Sequence, residues 1–243
     1  MRELTLVIPT ADGGIPAFAA VPQDTAIAPG VLIFMDIFGP REELRDIARR
    51  FASCGYAAVL PNLFHRVGSP EFAPANAPQD PVPSSAVQAN DATTLQMTSA
   101  DARAIIDFAG SGGLGLPTAL FGAIGYCMGG RHAIAAALAH PAQIRAALCI
   151  HGGRLVDAPG AAIDGLIGHT TVPLHFAFAR EDPTCPPHHQ SVIERAAAAA
   201  NGLVTIEHID ALHGWSFPDR WCFDVRASER VWERALAMFR SAL

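Results

Sequence analysis

Charged residues and long hydrophobic runs are both scarce in this sequence. Only 16% of its 243 residues are charged, and the apolar runs reach about eight residues, against the roughly 20 that span a bilayer. No apolar signal-peptide core follows the N-terminus, and no basic cluster accompanies the net charge of −6. These absences argue against a membrane span, a secretory signal and a nucleic-acid partner, and we expect a cytoplasmic protein.

Cysteine is also scarce, and its spacing is irregular. The sequence has five cysteines, an odd number, and no C-x-x-C pair. This pattern predicts neither a disulfide framework nor a thiolate zinc site, and a reducing compartment is the simplest setting. Cys185, His188 and His189 suggest zinc only weakly, because neighbouring histidine side chains on a helix diverge and no fourth ligand is evident.

Half of the residues are apolar, and they alternate between strand-like runs and segments with helical periodicity. This order is typical of an α/β fold, and we expect a mostly parallel central sheet, helices on both of its faces and an N-terminal hairpin. No repeat or linker divides the chain, so one domain over residues 1–243 is predicted. The predicted strands are 3–8, 15–21, 31–36, 56–60, 119–124, 146–150, 172–179 and 204–208, and the predicted helices are 42–53, 99–109, 128–139, 188–200 and 228–240.

Two stretches interrupt this alternation. Residues 67–96 contain five prolines, and residues 152–171 are rich in glycine, alanine and aspartate. Long irregular segments in a compact domain are often functional loops beside a site. A solvated surface excursion is the alternative for each of them.

Cys127 stands in the hexapeptide Gly-Tyr-Cys-Met-Gly-Gly, shortly after an apolar run that ends at Ile124. The pattern G-x-C-x-G is the nucleophile-elbow motif with sulfur in place of the usual serine hydroxyl. A sharp strand-to-helix turn crowds the backbone, so Gly125 and Gly129 suit the flanking positions. A helix that begins at Met128 would direct its positive dipole end towards the sulfur, which favours thiolate. Cys127 is therefore the predicted nucleophile, and the alternative is a buried, inert thiol.

A nucleophilic thiol needs a base and a group that orients the base. In the strand–elbow–helix architecture these follow in the order nucleophile, acid, histidine, each after a sheet strand. His213, on a loop before a glycine, is the predicted base among ten histidines. Asp182, followed by a proline that keeps the chain extended, is the predicted acid, with Glu181 and Asp210 as alternatives.

Acyl transfer also needs donors directed at the developing oxyanion. The N–H of Met128, directly after the nucleophile, is one predicted donor of this oxyanion hole. The second is expected from the loop that follows the strand at 31–36, where the N–H of Ile37 is the natural candidate.

These residues occur within a longer set of motifs that runs through nearly the whole chain. In chain order they are Met35-Asp36-Ile37-Phe38-Gly39-Pro40-Arg41, Leu44-Arg45-Asp46-Ile47-Ala48, Gly55-Tyr56, Leu60-Pro61-Asn62-Leu63-Phe64-His65-Arg66, the Cys127 elbow, Glu181-Asp182-Pro183 and His213-Gly214. Together they resemble the dienelactone hydrolase family of α/β-hydrolases. The resemblance implies an α/β-hydrolase fold, a Cys–His–Asp triad at Cys127, His213 and Asp182, and hydrolysis of lactone or ester bonds without a metal or an organic cofactor.

One departure from the family pattern concerns the thiol. Well-known members have a glutamate at the position of Asp36, which pairs with the thiol and helps to form the thiolate. Asp36 is one methylene shorter, and a branch of the family resembles this chain at Met35-Asp36. Asp36 is therefore either a thiol-tuning residue or a strand-end aspartate that caps the next turn.

A second departure concerns the substrate. Dienelactone-specific members hold the substrate carboxylate with two arginines, but Phe217 occupies one position, and no arginine lies between Arg66 and Arg103. Arg220 falls beyond the match. Because a buried carboxylate without a cation is costly to bind, a dienelactone diacid is not the expected substrate. Four aromatic residues suggest an apolar substrate pocket instead, or else belong to the core: Phe38, Tyr126, Trp215 and Phe217.

The leading hypothesis is a hydrolase that cleaves a small-molecule carboxylic ester or lactone through a thioester acyl-enzyme. The alternative is a non-catalytic ligand-binding or redox-sensing protein on a hydrolase scaffold. The acid and the histidine in the expected order argue against that alternative, because a pure binding protein needs neither. A monomer or a homodimer is expected.

Overall fold

The computed structural model describes residues 1–156, 158 and 162–243. The strands of this part of the chain are β1 (Arg2–Thr10), β2 (Gly13–Val21), β3 (Gly30–Phe34), β4 (Ala57–Pro61), β5 (Phe121–Tyr126), β6 (Ile144–Ile150), β7 (Leu174–Glu181) and β8 (Val204–Leu212). The α-helices are α1 (Glu42–Ser53), α2 (Ser84–Ala92), α3 (Leu95–Gly110), α4 (Met128–Ala139), α5 (Asp164–Ile167), α6 (Pro187–Ala198) and α7 (Val225–Ala242).

All of these strands belong to one sheet with the order β1-β2-β4-β3-β5-β6-β7-β8. β1 and β2 form an antiparallel hairpin, and β2 also pairs antiparallel with β4. Every other neighbouring pair is parallel. The predicted mostly parallel sheet with an N-terminal hairpin is therefore confirmed.

Helices cover both faces of the central strands. A Cβ atom on Gly122 of β5 would lie 2.3 Å from the Phe239 ring of α7, whereas one on Gly125 would lie 2.0 Å from the carbonyl oxygen of Gly129 in α4. Residues three apart on a strand face opposite sides of the sheet. The central strands are accordingly buried on both faces, and β3 and β5 have no exposed residue.

The amphipathic pattern of α1 explains its position. Leu44, Ala48 and Phe51 recur at helical spacing and are buried. The Phe51 ring contacts Trp232 and Phe239 of α7, with centroid distances of 4.5 and 5.8 Å. The bounds predicted for α1 and α4 are those of the structure. α1 begins shortly after Ile37, and α4 begins directly after Cys127.

The structure differs from the sequence prediction mainly in the two irregular stretches. The proline-rich segment 67–96 contains α2, which buries Ala86, Ala89 and Asn90. These side chains are small or polar, so the sequence has no stripe of large apolar residues that would predict the helix. The segment 152–171 contains the short α5, and its residues 157 and 159–161 lie outside the described residues. In the described part of the chain, no helix has the length and apolar character that crossing a membrane requires.

Candidate active site

Cys127 lies on the sharp turn between β5 and α4. Its backbone has φ 52° and ψ −117°, a region that residues other than glycine rarely adopt and that stores strain at functional turns. A Cβ on Gly125 would lie 2.0 Å from the Gly129 carbonyl oxygen, and one on Gly129 would lie 2.3 Å from the Phe34 carbonyl oxygen. The turn therefore requires glycine at both flanking positions, as the elbow pattern predicts.

The thiol of Cys127 differs from the core thiols in its exposure. Cys127 is partly exposed, whereas Cys149 is fully buried. Burial raises the pKa of Cys149 well above its usual value, so this thiol is protonated at neutral pH. Of these two thiols, the one on the elbow is open to a substrate.

Asp182 and His213 follow directly after β7 and β8, at the same sheet edge as Cys127. The Asp182 Oδ2 atom lies 2.7 Å from Nδ1 of His213, and its Oδ1 atom accepts from the backbone N–H and hydroxyl of Thr184 at 2.8 and 2.6 Å. With Nδ1 donating to the carboxylate, the Nε2 atom is the nitrogen left to face the thiol. The structure thus brings the predicted base and acid into hydrogen-bond contact.

The ionisation of this pair follows from its surroundings. Burial would lower the pKa of His213, but the nearby Cys127 sulfur and the hydrogen-bonded Asp182 carboxylate hold that pKa well above its usual value. Burial would raise the pKa of Asp182, but the bonds from His213 and Thr184 hold it below its usual value. Both shifts favour the charged forms of His213 and Asp182.

The alternative acids do not occupy this position. Glu181 is exposed at the end of β7. Asp210 is paired with Arg180 on the surface, at 3.1 Å, and both side chains are well exposed. Of the three candidates, Asp182 is the one that contacts His213.

The two predicted oxyanion donors lie on neighbouring segments. Met128 is the first residue of α4, and Ile37 follows β3 by three residues. A Cβ on Gly129 would clash with the carbonyl oxygens of Phe34 and Met35, so the start of α4 abuts the segment that leads to Ile37. Within residues 1–156, 158 and 162–243, neither the Ile37 nor the Met128 N–H donates to another group.

The Asp36 carboxylate is bonded to its own loop and to Arg41. Its Oδ1 atom accepts from the Phe38 N–H at 3.0 Å and from Nη1 of Arg41 at 2.7 Å. Among the described residues it makes no hydrogen bond with Cys127. These bonds favour the second reading of Asp36, in which its shorter side chain caps the turn that contains Ile37.

Of the four aromatic residues predicted as a substrate pocket, three are buried among other side chains and Tyr126 lines a cavity. Trp215 and Phe217 have no exposed surface, and Phe38 and Tyr126 are 1% and 5% exposed. Since a ring with no accessible surface does not line a space large enough for water, Trp215, Phe217 and Phe38 do not form an open acyl pocket. Tyr126 packs on Phe217 with a centroid distance of 5.0 Å, and its neighbouring cavity lies between α1 and α7.

His151 is a site neighbour that sequence reasoning missed. It follows directly after β6 with a φ of 37°, its ring centroid lies 5.1 Å from that of His213, and its Nε2 contacts the Ser216 hydroxyl at 3.1 Å. Burial and then the charge on His213 hold the pKa of His151 well below its usual value. The neutral imidazole of His151 therefore packs against the protonated imidazole of His213. The position of His151 directly after a predicted strand was the sequence signal that could have identified it.

Arg131 is a second missed neighbour. It is buried on α4, one helical turn after Cys127, and donates to the Asn90 side-chain oxygen at 2.6 Å and to the Gly153 carbonyl at 3.2 Å. Burial lowers the pKa of Arg131 to about 10, while the charge of Cys127 opposes this shift. The spacing of four residues, with Arg131 on a predicted helix, was the signal that could have placed it near Cys127.

No group of three or more His, Cys, Asp or Glu side chains that could hold a metal ion occurs among the described residues. Cys185 instead lies after the Asp182 turn, where its N–H donates to Asp182 Oδ1 at 3.2 Å. His188 and His189 pack their rings against each other at 4.3 Å.

The sequence is similar to a known protein family and to individual proteins over most of its length. The family model described as "Dienelactone hydrolase family" matches residues 15–243. The "Putative carboxymethylenebutenolidase" of Escherichia coli K12 is 28% identical over 242 residues, covering 96% of this chain and 84% of that protein. A Synechocystis protein of the same name is 26% identical over 250 residues, covering 100% of this chain and 98% of that protein.

Similarity to solved structures establishes the α/β-hydrolase fold. The crystal structure of the "Putative Dienelactone Hydrolase" from Klebsiella pneumoniae superposes with a TM-score of 0.86 at 22% sequence identity. The superposition covers 98% of each chain. The predicted fold class is confirmed.

Proposed function

This chain belongs to the dienelactone hydrolase family, and we propose that it cleaves a carboxylic ester or lactone with Cys127 as the nucleophile. One observation carries the proposal: His213, which lies near the elbow thiol, has its Nδ1 atom 2.7 Å from the buried Asp182 carboxylate. All three residues follow strands of one sheet, and we propose a single catalytic domain over residues 1–243.

The proposed reaction begins with attack of the Cys127 thiolate on the carbonyl carbon of the substrate. The carbonyl electrons move to oxygen, and the N–H groups of Ile37 and Met128 bind the oxyanion. As the tetrahedral species collapses, the C–O bond breaks and His213 gives its Nε2 proton to the leaving alkoxide, which forms a thioester. His213 then takes a proton from the water that hydrolyses the thioester, while Asp182 holds its tautomer.

Lactones suit this chemistry because the leaving alkoxide stays tethered until it is protonated. We propose uncharged esters and lactones as better substrates than a dienelactone diacid. Three arginines around the site are engaged by polar protein groups: Arg41 by Asp36, Arg131 by the Asn90 side chain and the Gly153 carbonyl, and Arg154 by Asp91. A fourth, Arg220, lies against the Phe38 ring. Releasing a guanidinium from such partners costs part of the energy that a substrate carboxylate would contribute.

We also propose that this chain belongs to the branch of the family that carries Met35-Asp36. In this branch Asp36 would shape the turn around Ile37 instead of pairing with the thiol. The bonds from the Phe38 N–H and from Arg41 support this role.

The test is the replacement of Cys127 by alanine. We expect hydrolysis of activated short-chain esters to be abolished, while the circular dichroism spectrum and the thermal unfolding midpoint stay those of the wild type. Cys54→Ala, which removes an exposed thiol away from the elbow, is the matched control and should keep full activity. Undiminished turnover by Cys127→Ala would refute the proposal, and an inactive wild type would favour the ligand-binding alternative.

A further inference from the structure

Two loops that carry proposed catalytic groups are joined by a reciprocal pair of arginine–phenylalanine contacts. We call residues 35–41, which contain Ile37, the donor loop, and residues 213–223 the histidine loop. Arg41 of the donor loop places its Cζ atom 4.4 Å from the ring centroid of Phe217. Arg220 of the histidine loop places its Cζ atom 4.8 Å from the ring centroid of Phe38. Each loop therefore holds an aromatic ring of the other under a guanidinium.

Ion pairs strengthen the same connection. The Arg41 guanidinium donates through Nε and Nη2 to Asp219 at 2.5 and 3.3 Å, and through Nη1 to Asp36 at 2.7 Å. Arg41 is only 9% exposed, and Asp36 is 1% exposed. Such forked bonds to two carboxylates need the planar guanidinium, which a lysine ammonium does not reproduce.

One residue links each arginine to a proposed catalytic group: Asp36 links Arg41 to the Ile37 segment, and Gly214 lies between Arg220 and His213. Asp36 accepts from the Phe38 N–H at 3.0 Å, so the bonded pair encloses Ile37. Arg220 lies against the backbone of Gly214, the residue after His213, where a Cβ would come within 3.4 Å of the guanidinium. Among the described residues Arg220 has no carboxylate partner, so stacking rather than an ion pair holds it.

We propose that Arg41, assisted by Arg220, is a positioning residue that fixes the Ile37 N–H relative to the His213 imidazole. The inference rests on the proposed function, because it gives the two loops their catalytic groups. Neither arginine touches the reacting atoms.

Two probes separate the placement of the oxyanion donor from the reactivity of the thiol. With a short alkyl trifluoromethyl ketone, the thiolate sulfur forms a bond to the carbonyl carbon and the carbonyl electrons move to oxygen, while His213 keeps its proton. The resulting oxyanion needs the Ile37 and Met128 donors. With iodoacetamide, the sulfur displaces iodide at a saturated carbon, so no oxyanion forms.

The variants are Arg41→Lys, Arg220→Met and the matched control Arg50→Lys. Arg50 lies on α1, and like Arg41 it combines an ion pair, with Glu229, and a ring contact, 4.1 Å from Trp232. For Arg41→Lys we expect ketone affinity and kcat to fall together by about tenfold to a hundredfold, while KM and the pH profile of iodoacetamide alkylation stay unchanged. Arg220→Met, which leaves no carboxylate unpaired, should show a smaller loss in the same direction, and Arg50→Lys none.

The outcomes that overturn the inference are distinct. If Arg41→Lys binds the ketone as tightly as the wild type, Arg41 does not position the donor. If the alkylation rate and the ketone affinity of Arg41→Lys fall by the same factor, Arg41 stabilises the whole site and does not specifically fix the donor loop relative to the histidine loop. A wild-type protein that forms no ketone adduct would refute the proposed function, and the positioning role with it, whereas the first two results refute the positioning role alone.

Discussion

Replacing Asp182 by asparagine tests the proposed triad through one hydrogen bond. The Oδ1 position is fixed by donors from Thr184 and the Cys185 N–H, at 2.8, 2.6 and 3.2 Å. The asparagine oxygen would take this place, so its amide N–H would face Nδ1 of His213. The imidazole would then have to accept at Nδ1 and carry its proton on Nε2, where it could no longer act as a base.

The magnitude follows from the cost of the wrong tautomer. In a serine protease triad this exchange lowers kcat by about 10⁴-fold. A thiol ionises without a base more readily than a hydroxyl, so we expect a loss of roughly 10³-fold here, or about 4 kcal/mol of transition-state stabilisation. Loss of the carboxylate also lowers the pKa of His213, so the alkaline limb of kcat/KM should move to lower pH.

The assay is the pH dependence of kcat/KM for an alkyl ester or lactone, whose leaving oxygen needs a proton. The matched control is Asp210→Asn, at the surface pair with Arg180, and we expect wild-type kinetics from it. A loss smaller than about tenfold in Asp182→Asn, or an equal loss in Asp210→Asn, would contradict the assignment of the acid.

Two further predictions concern stability and substrate choice. His175 is 1% exposed, and its burial together with the charge of Arg234 lowers its pKa from 6.5 to about 4. The folded protein therefore favours the neutral imidazole. The contribution of this residue to the free energy of unfolding is retained above pH 6.5 and falls by roughly 3 kcal/mol as the pH drops towards 4. Urea unfolding from pH 7.5 to 4.5 should show a shallower decline for His175→Gln than for the wild type, and an equal decline would refute this. In a panel of lactones, uncharged members should have higher kcat/KM than carboxylate-bearing analogues of equal size, and the reverse order would contradict the substrate proposal.

Local patterns predicted the elements that flank the elbow. The apolar stripe of α1 and the glycines around Cys127 are signals within a dozen residues, and both correspond to what the structure shows. The strand ends were predicted less well, and β8 runs to Leu212, four residues beyond the predicted end. Its last four residues alternate between buried or partly buried positions and exposed ones at the edge of the sheet, so they form no apolar run.

Long-range polar contacts could not be predicted. Arg41 and Asp219 are 178 residues apart in sequence, and nothing local to either residue indicates the other. Arg41 was part of a family motif, yet its bond to Asp36 favours a turn-capping role for this carboxylate over a contact with the thiol. The role of the aromatic residues was ambiguous for a related reason. Residue type does not distinguish the wall of a substrate pocket from the hydrophobic core, whereas the exposed fraction of each side chain does.

The most direct test of the central claim is to trap the acyl-enzyme. Wild-type protein mixed with an activated ester would be quenched in acid, where a thioester persists, then digested and analysed by mass spectrometry. The account predicts the mass of one acyl group on the peptide that contains Cys127. Turnover with the acyl group on the peptide of exposed Cys54, or with no acylated cysteine at all, would contradict it.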